Sequence, residues 1–190
     1  NTTRAAITRI GELQKTGFTV YAYNTGSNLA GSTGATLGTA FMPATLVTYK
    51  DNKWSFTDEY YWPLTDNIQF FAYATDEAAT NYSASETVKY PSLNYAVAKL
   101  AADQKDFVVA HAANKTKTTD DVTLTFNHAL TQVNFSAIGS DGYTYKITSV
   151  GLEGVFGSGT YTFDGSWATS GVTTDYTYPI AEGGADISGA

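Results

Sequence analysis

Two histidines, His111 in "DFVVAHA" and His128 in "VTLTFNHAL", are the side chains best suited to acid–base or metal chemistry near neutral pH. A metal would need further ligands at a binding spacing, and no carboxylate stands at such a spacing from either ring. Both histidines lie at positions of inward parity on strand-like segments. They are expected to be structural, the His128 ring with its N–H groups held by backbone carbonyls that a break in the strand exposes. Asp120 and Asp121, with Asp103 and Asp106 upstream, offer paired carboxylates. They lack the alternating oxygen ligands around a glycine that a calcium loop requires, so a solvated turn is expected there. No G-x-S-x-G, phosphate-cradling glycine loop or H-E-x-x-H occurs, and the absence of cysteine excludes thiolate chemistry and disulfides. The sequence predicts neither an enzyme nor a cofactor or metal site.

Aromatic side chains offer a different chemistry. The run "YYWPL", Tyr60 to Leu64, follows Trp54 and Phe56 closely. Exposed Tyr60, Tyr61 and Trp62 would form a platform for stacking sugar rings; buried, Trp54 and Trp62 would fill a core, and that packing is the expectation. Asn81-Tyr82-Ser83 and Asn114-Lys115-Thr116 have the form of N-glycosylation sequons, a pattern short enough to arise by chance.

These side chains must be positioned by strands. The 190 residues carry 43% hydrophobic and 14% aromatic side chains but only 15% charged ones, a mixture that suits pleated surfaces better than exposed helices. A net charge of -7 without a Lys/Arg cluster argues against binding a phosphate backbone. There is no long apolar run and no signal-peptide core, which reads as a soluble or mature fragment. Apolar and polar residues alternate over 17–23, 53–57, 68–75, 106–112, 122–128, 132–139, 145–156 and 160–163, with turn-rich pieces between them. Only 94–106, "NYAVAKLAADQKD", has much helix propensity, enough for a turn or two. The pattern predicts one antiparallel two-sheet β-sandwich over residues 1–168. Residues 169–190 read as a linker or the start of a second unit.

One stretch breaks the rule of two. Val122, Leu124, Phe126 and His128 share one face, whereas Val133, Phe135 and Ala137 fall on the other parity. No continuous strand buries both sets on one side, so a bulge or tight turn at Ala129–Thr131 is expected to carry the chain across to the other sheet.

The ordered set "TRAAITRI", "GFTVYAY", "YYWPL", "IQFFAYA", "DFVVAHA", "VTLTFNHALTQVNFSAIG" and "ITSVGLEGVFGSGTYTFDGSW" resembles the fimbrillin-like proteins of Bacteroidales pili. The resemblance runs from Arg4 to about Trp167. It implies a transthyretin-like sandwich as the N-terminal domain of an all-β surface subunit, a structural protein of a fimbrium at the outer membrane. It further implies export as a lipoprotein precursor whose membrane attachment is a lipid anchor absent from this chain. Cleavage after an arginine, for which Arg4 and Arg9 are the candidates, would let other pilin subunits join by donor-strand addition and so build an adhesive fibre. The alternative is a carbohydrate-binding surface sandwich with Tyr60, Tyr61 and Trp62 as its platform, recognising host or bacterial glycans.

Overall fold

Residues 10–29, 31–75, 82–140 and 142–188 are described by the computed structural model. Ile10–Thr16 form the helix α1, which carries a Glu12–Lys15 pair at 3.0 Å and buries Leu13. The helix stops at Gly17, whose N–H reaches the Leu13 carbonyl at 2.8 Å and whose φ is +74°. A Cβ at this position would lie 2.6 Å from the Val47 carbonyl oxygen. Gly17→Ala is therefore expected to destabilise the fold by about 2 kcal/mol through left-handed backbone strain and the clash, read as a lowered denaturant midpoint at unchanged slope.

The chain then continues as β1 (Phe18–Asn24), β2 (Ala40–Lys50), β3 (Lys53–Ser55), β4 (Ile68–Ala74), β5 (Tyr82–Ser83) and β6 (Ser92–Ala96). After a short 3-10 turn at Ala101–Asp103 come β7 (Val108–Lys115) and β8 (Asn127–His128). The remaining strands are β9 (Thr144–Ile147), β10 (Val150–Phe156), β11 (Ser158–Thr162), β12 (Trp167–Thr169), β13 (Thr173–Tyr178) and β14 (Ala185–Ser188). Pairing is antiparallel throughout. A six-stranded sheet has the order β3-β2-β1-β4-β7-β8 and a four-stranded sheet the order β12-β11-β6-β5. The protein is all-β, with sandwich-like packing of these two sheets.

The β1–β2 register shifts between Val20↔Thr45 and Ala22↔Met42, so Pro43 sits in a bulge where a missing N–H breaks no ladder. That proline is why the pattern from Ala40 to Lys50 does not read as a strand. Between the two sheets lie Tyr23, Phe71 and Val109 from the first, Leu93, Tyr95 and Tyr161 from the second, and Phe107. The opposite face of the six-stranded sheet is covered as well: Val20, Met42, Ala72 and Ala110 pack with Leu13 of α1, and Trp54, Trp62, Leu124 and Phe126 lie over them. A sheet covered on both faces explains why "IQFFAYA" is apolar at nearly every position.

Two sequence expectations change and a third is met in part. Residues 94–106 open as the end of strand β6, because Leu93 and Tyr95 face the inter-sheet core and Tyr95 Oη donates to the Lys105 carbonyl at 2.9 Å, and the helical turn expected in this stretch is the 3-10 turn at Ala101–Asp103. Residues 122–128 keep the alternation, with Leu124 and Phe126 on the core, but pair as a strand only at Asn127 and His128. Residues 132–139 form no strand, since no backbone among the described residues hydrogen-bonds to them. Beyond the two sheets, β10 pairs with β13 and β9 with β14, joining residues on either side of the boundary expected near 168–169.

Candidate functional site

The region with the most unusual surroundings is the crossover that follows β8. Val108 and Val109 pair with His128 and Asn127, and Ala129 N–H donates to the Phe107 carbonyl at 2.8 Å. The chain bends at Leu130 and then runs without turn or bend to Ser140. From the other sheet, the Trp167 indole N–H donates to the Ala129 carbonyl at 3.1 Å. The residues at the parity change thus hold both sheets: the backbone of one residue, Ala129, bonds through its N–H to β7's approach and through its carbonyl to the Trp167 side chain of β12.

His128 sits on this crossover, but not as expected. Its side chain is 51% exposed, and Nδ1 lies 2.9 Å from Oδ2 of Asp106, whose own side chain is 6% exposed. Asp106 is no solvated turn residue: its Oδ1 also accepts the Phe107 N–H at 2.8 Å. The inward parity of His128 failed because β8 is an edge strand only two residues long, leaving about half of the ring in solvent. Asp120 and Asp121 are exposed, and Asp120 N–H is held by Thr118 Oγ1.

His111 does lie in the core between the sheets, stacked on Phe71 at 4.4 Å with Tyr90 edge-on at 6.0 Å. Among the described residues its buried Nε2 has no hydrogen-bond partner. Burial lowers its pKa from 6.5 to about 4. In the unfolded chain the imidazole takes up its proton near the ordinary value, whereas the folded protein resists protonation. The His111 contribution is therefore fully present above pH 6.5 and is lost as pH falls from there through about 4. Allowing for partial solvent access, the loss is about 2 kcal/mol. Chemical denaturation at pH 7 and pH 4 measures it, and His111→Phe should flatten that part of the profile.

Of the aromatic run, Tyr60 packs against Phe41 and Trp62 sets its ring edge-on to Phe70, both over the outer core, whereas Tyr61 is 79% exposed with its hydroxyl on Glu59. Trp54 packs on Phe18 at 5.1 Å and is, like Trp62, part-buried. The sequon residue Asn114 is occupied structurally: Oδ1 accepts from Leu29 N–H and Gln69 Nε2. Arg4, Arg9 and Asn81 lie outside the described residues. Among the described residues no group of three or more His, Asp or Glu side chains converges as metal ligands, and no helix is long and apolar enough to cross a membrane.

Beside the crossover, a cleft of about 860 Å³ opens between the 131–135 segment, β10–β13 and the four-stranded sheet, lined by Val133, Phe135, Leu152, Phe156, Trp167 and Tyr176 among others. Tyr176 Oη donates to the Val97 carbonyl at 3.3 Å, tying the β10–β13 ribbon to the sheet. It reaches there over Gly157, where a Cβ would fall 2.1 Å from that oxygen.

The fimbrillin-like family model matches residues 3–188, nearly the whole chain. The chain belongs to the fimbrillin-like family. No curated protein and no solved structure matches it. Fimbrillin-like proteins are structural subunits, which supports a place in a cell-surface fimbrium and contacts with other subunits. In the sequence that family is carried by the ordered apolar motifs between Arg4 and Trp167. Asp106 and Trp167 of the crossover did not show themselves there as parts of a site, because their partners lie far along the chain.

Proposed function

We propose that this fimbrillin-like chain is a structural subunit of a bacterial surface fimbria, exported as a lipoprotein precursor, matured by cleavage after Arg4 or Arg9, and joined to its neighbours by strand exchange into an adhesive fibre at the outer membrane. The observation that carries this reading is the family match over residues 3–188. The six-stranded sheet is compatible with strand addition. Among the described residues β8 pairs only with Val108 and Val109, so most of β7 has no neighbour on its outer side. A cut after Arg9 would also leave every described element whole, since α1 begins at Ile10.

Limited proteolysis with an arginine-specific protease, followed by mass spectrometry and size-exclusion chromatography, tests the proposal. Cleavage after Arg4 or Arg9 and growth of larger species with partner subunits or donor peptides is the expected result. A folded protein that resists at both arginines, or that is cut and stays monomeric with every partner, would exclude strand exchange. A second reading, a carbohydrate-binding sandwich with Tyr60, Tyr61 and Trp62 as its platform, draws on the exposed ring of Tyr61 between the part-buried Tyr60 and Trp62. Tryptophan emission that shifts with glycans, and no longer does so in Tyr61→Ala, would favour it.

A further inference from the structure

The run from Thr131 to Gly139, "TQVNFSAIG", differs from the other exposed segments of the molecule. It runs without a turn or bend, and among the described residues its backbone N–H and C=O groups form no backbone hydrogen bond. Val133 is 46%, Phe135 49% and Ile138 89% exposed, although alternate positions carry apolar side chains as in a half-buried strand. Exposed strands are commonly blunted by lysine, proline, a bulge or an inward charge. This run has no charged residue and no proline, in a chain of net charge -7. A row of peptide groups at strand spacing is satisfied in full only by another strand, and a small apolar or sugar ligand would leave most of them unpaired.

We propose that Thr131–Gly139 is a self-pairing edge through which two copies of this chain associate antiparallel about a twofold axis. The segment fits a second copy of itself. With Asn134 on the axis, Val133 of one copy stands opposite Phe135 of the other and Thr131 opposite Ala137, so the odd-numbered face of each strand continues into that of its partner. Because the run is uncharged, like charges do not meet where the copies touch. Phe135 and Val133 also wall the cleft beside Trp167, so each copy extends the other's apolar surface there. This isologous contact uses a different part of the chain from the arginine-gated exchange proposed above and does not depend on it.

Sedimentation analysis of the intact chain between about 1 and 300 µM tests the proposal by mass action. The weight-average mass should rise from 20.3 kDa toward twice that value. Phe135→Asp, a change at a half-exposed side chain, should weaken the association about 100-fold, because it places an unpaired carboxylate in the contact. Tyr61→Asp, at a more exposed aromatic outside the segment, should leave it unchanged. Since the chain has no cysteine, Asn134→Cys supplies a single thiol on the axis, where the facing Cβ atoms fall within disulfide range. That variant should cross-link into a dimer under mild oxidation faster than Tyr61→Cys. A strictly monomeric protein, an association indifferent to Phe135→Asp, or cross-linking no faster than the control would each overturn the proposal and leave the strand to another occupant. Cleavage at Arg4 or Arg9 has no part in this experiment, so its failure and that of the fimbrial reading are told apart.

Discussion

Phe107→Ala is expected to lower stability by about 3–5 kcal/mol, a large share of the total for a domain of this size. The ring is fully buried. It stacks on Tyr95 at 4.9 Å and 3°, and meets Tyr161 and Trp167 edge-on at 5.8 and 6.2 Å. Its peptide groups add two further ties, since the N–H is held by Asp106 and the carbonyl receives Ala129 N–H. Removing the ring leaves a cavity against residues of both sheets and loosens the packing that keeps Trp167 over the Ala129 carbonyl. Denaturant unfolding gives the cost. Tryptophan emission in the remaining folded fraction should shift toward red as Trp167 gains access to water. Phe107→Leu, which keeps most of the volume, should recover more than half of the loss.

The second large effect is expected at Gln69, a polar side chain with no exposed surface on β4. Its Nε2 donates to Thr25 Oγ1 at 3.0 Å and to Asn114 Oδ1 at 2.8 Å, and its Oε1 accepts the Asn114 N–H at 2.9 Å. Asn114 has φ +53°, and its Oδ1 also receives Leu29 N–H, which draws the 25–29 loop onto the sheet and seats Leu29 in the core. Gln69→Leu keeps the volume but removes a donor and an acceptor, leaving the Asn114 N–H unsatisfied. The expected cost is about 2–4 kcal/mol. Amide hydrogen exchange should locate it, with protection lost first at Leu29 and Asn114 and last in β1. If the loop amides stayed protected in this variant, the network would not be what holds the loop.

How much of this was legible beforehand depends on the kind of contact. Phe18–Asn24 announced itself by its period of two, and Ile68–Ala74 and the start of Val108–Lys115 by short, nearly continuous apolar runs, since both signals are written in consecutive residues. Ala40–Lys50 was hidden by Pro43, and Ser92–Ala96 by neighbours with helix propensity that packing of Leu93 and Tyr95 overrides. The parity change at His128–Thr131 pointed correctly to a departure from one continuous strand. It could not show that Asp106 and Trp167 would meet the chain there, since those contacts join residues up to 38 positions apart. Gln69 reads in sequence as an ordinary polar position between apolar ones, and only the fold brings Asn114 to it. Strand-like alternation in 132–139 describes what that segment offers to a partner, whereas strand formation needs the partner itself.

The claim that this chain is a fimbrial building block is tested most directly by isolating surface filaments from cells that make it and mapping their peptides by mass spectrometry. The account predicts that peptides covering residues 10–188 are recovered from sheared, purified filaments. It also predicts that the first detected residue follows Arg4 or Arg9. Recovery of the chain only outside the filaments, or only as free monomer with its first nine residues intact, would contradict it.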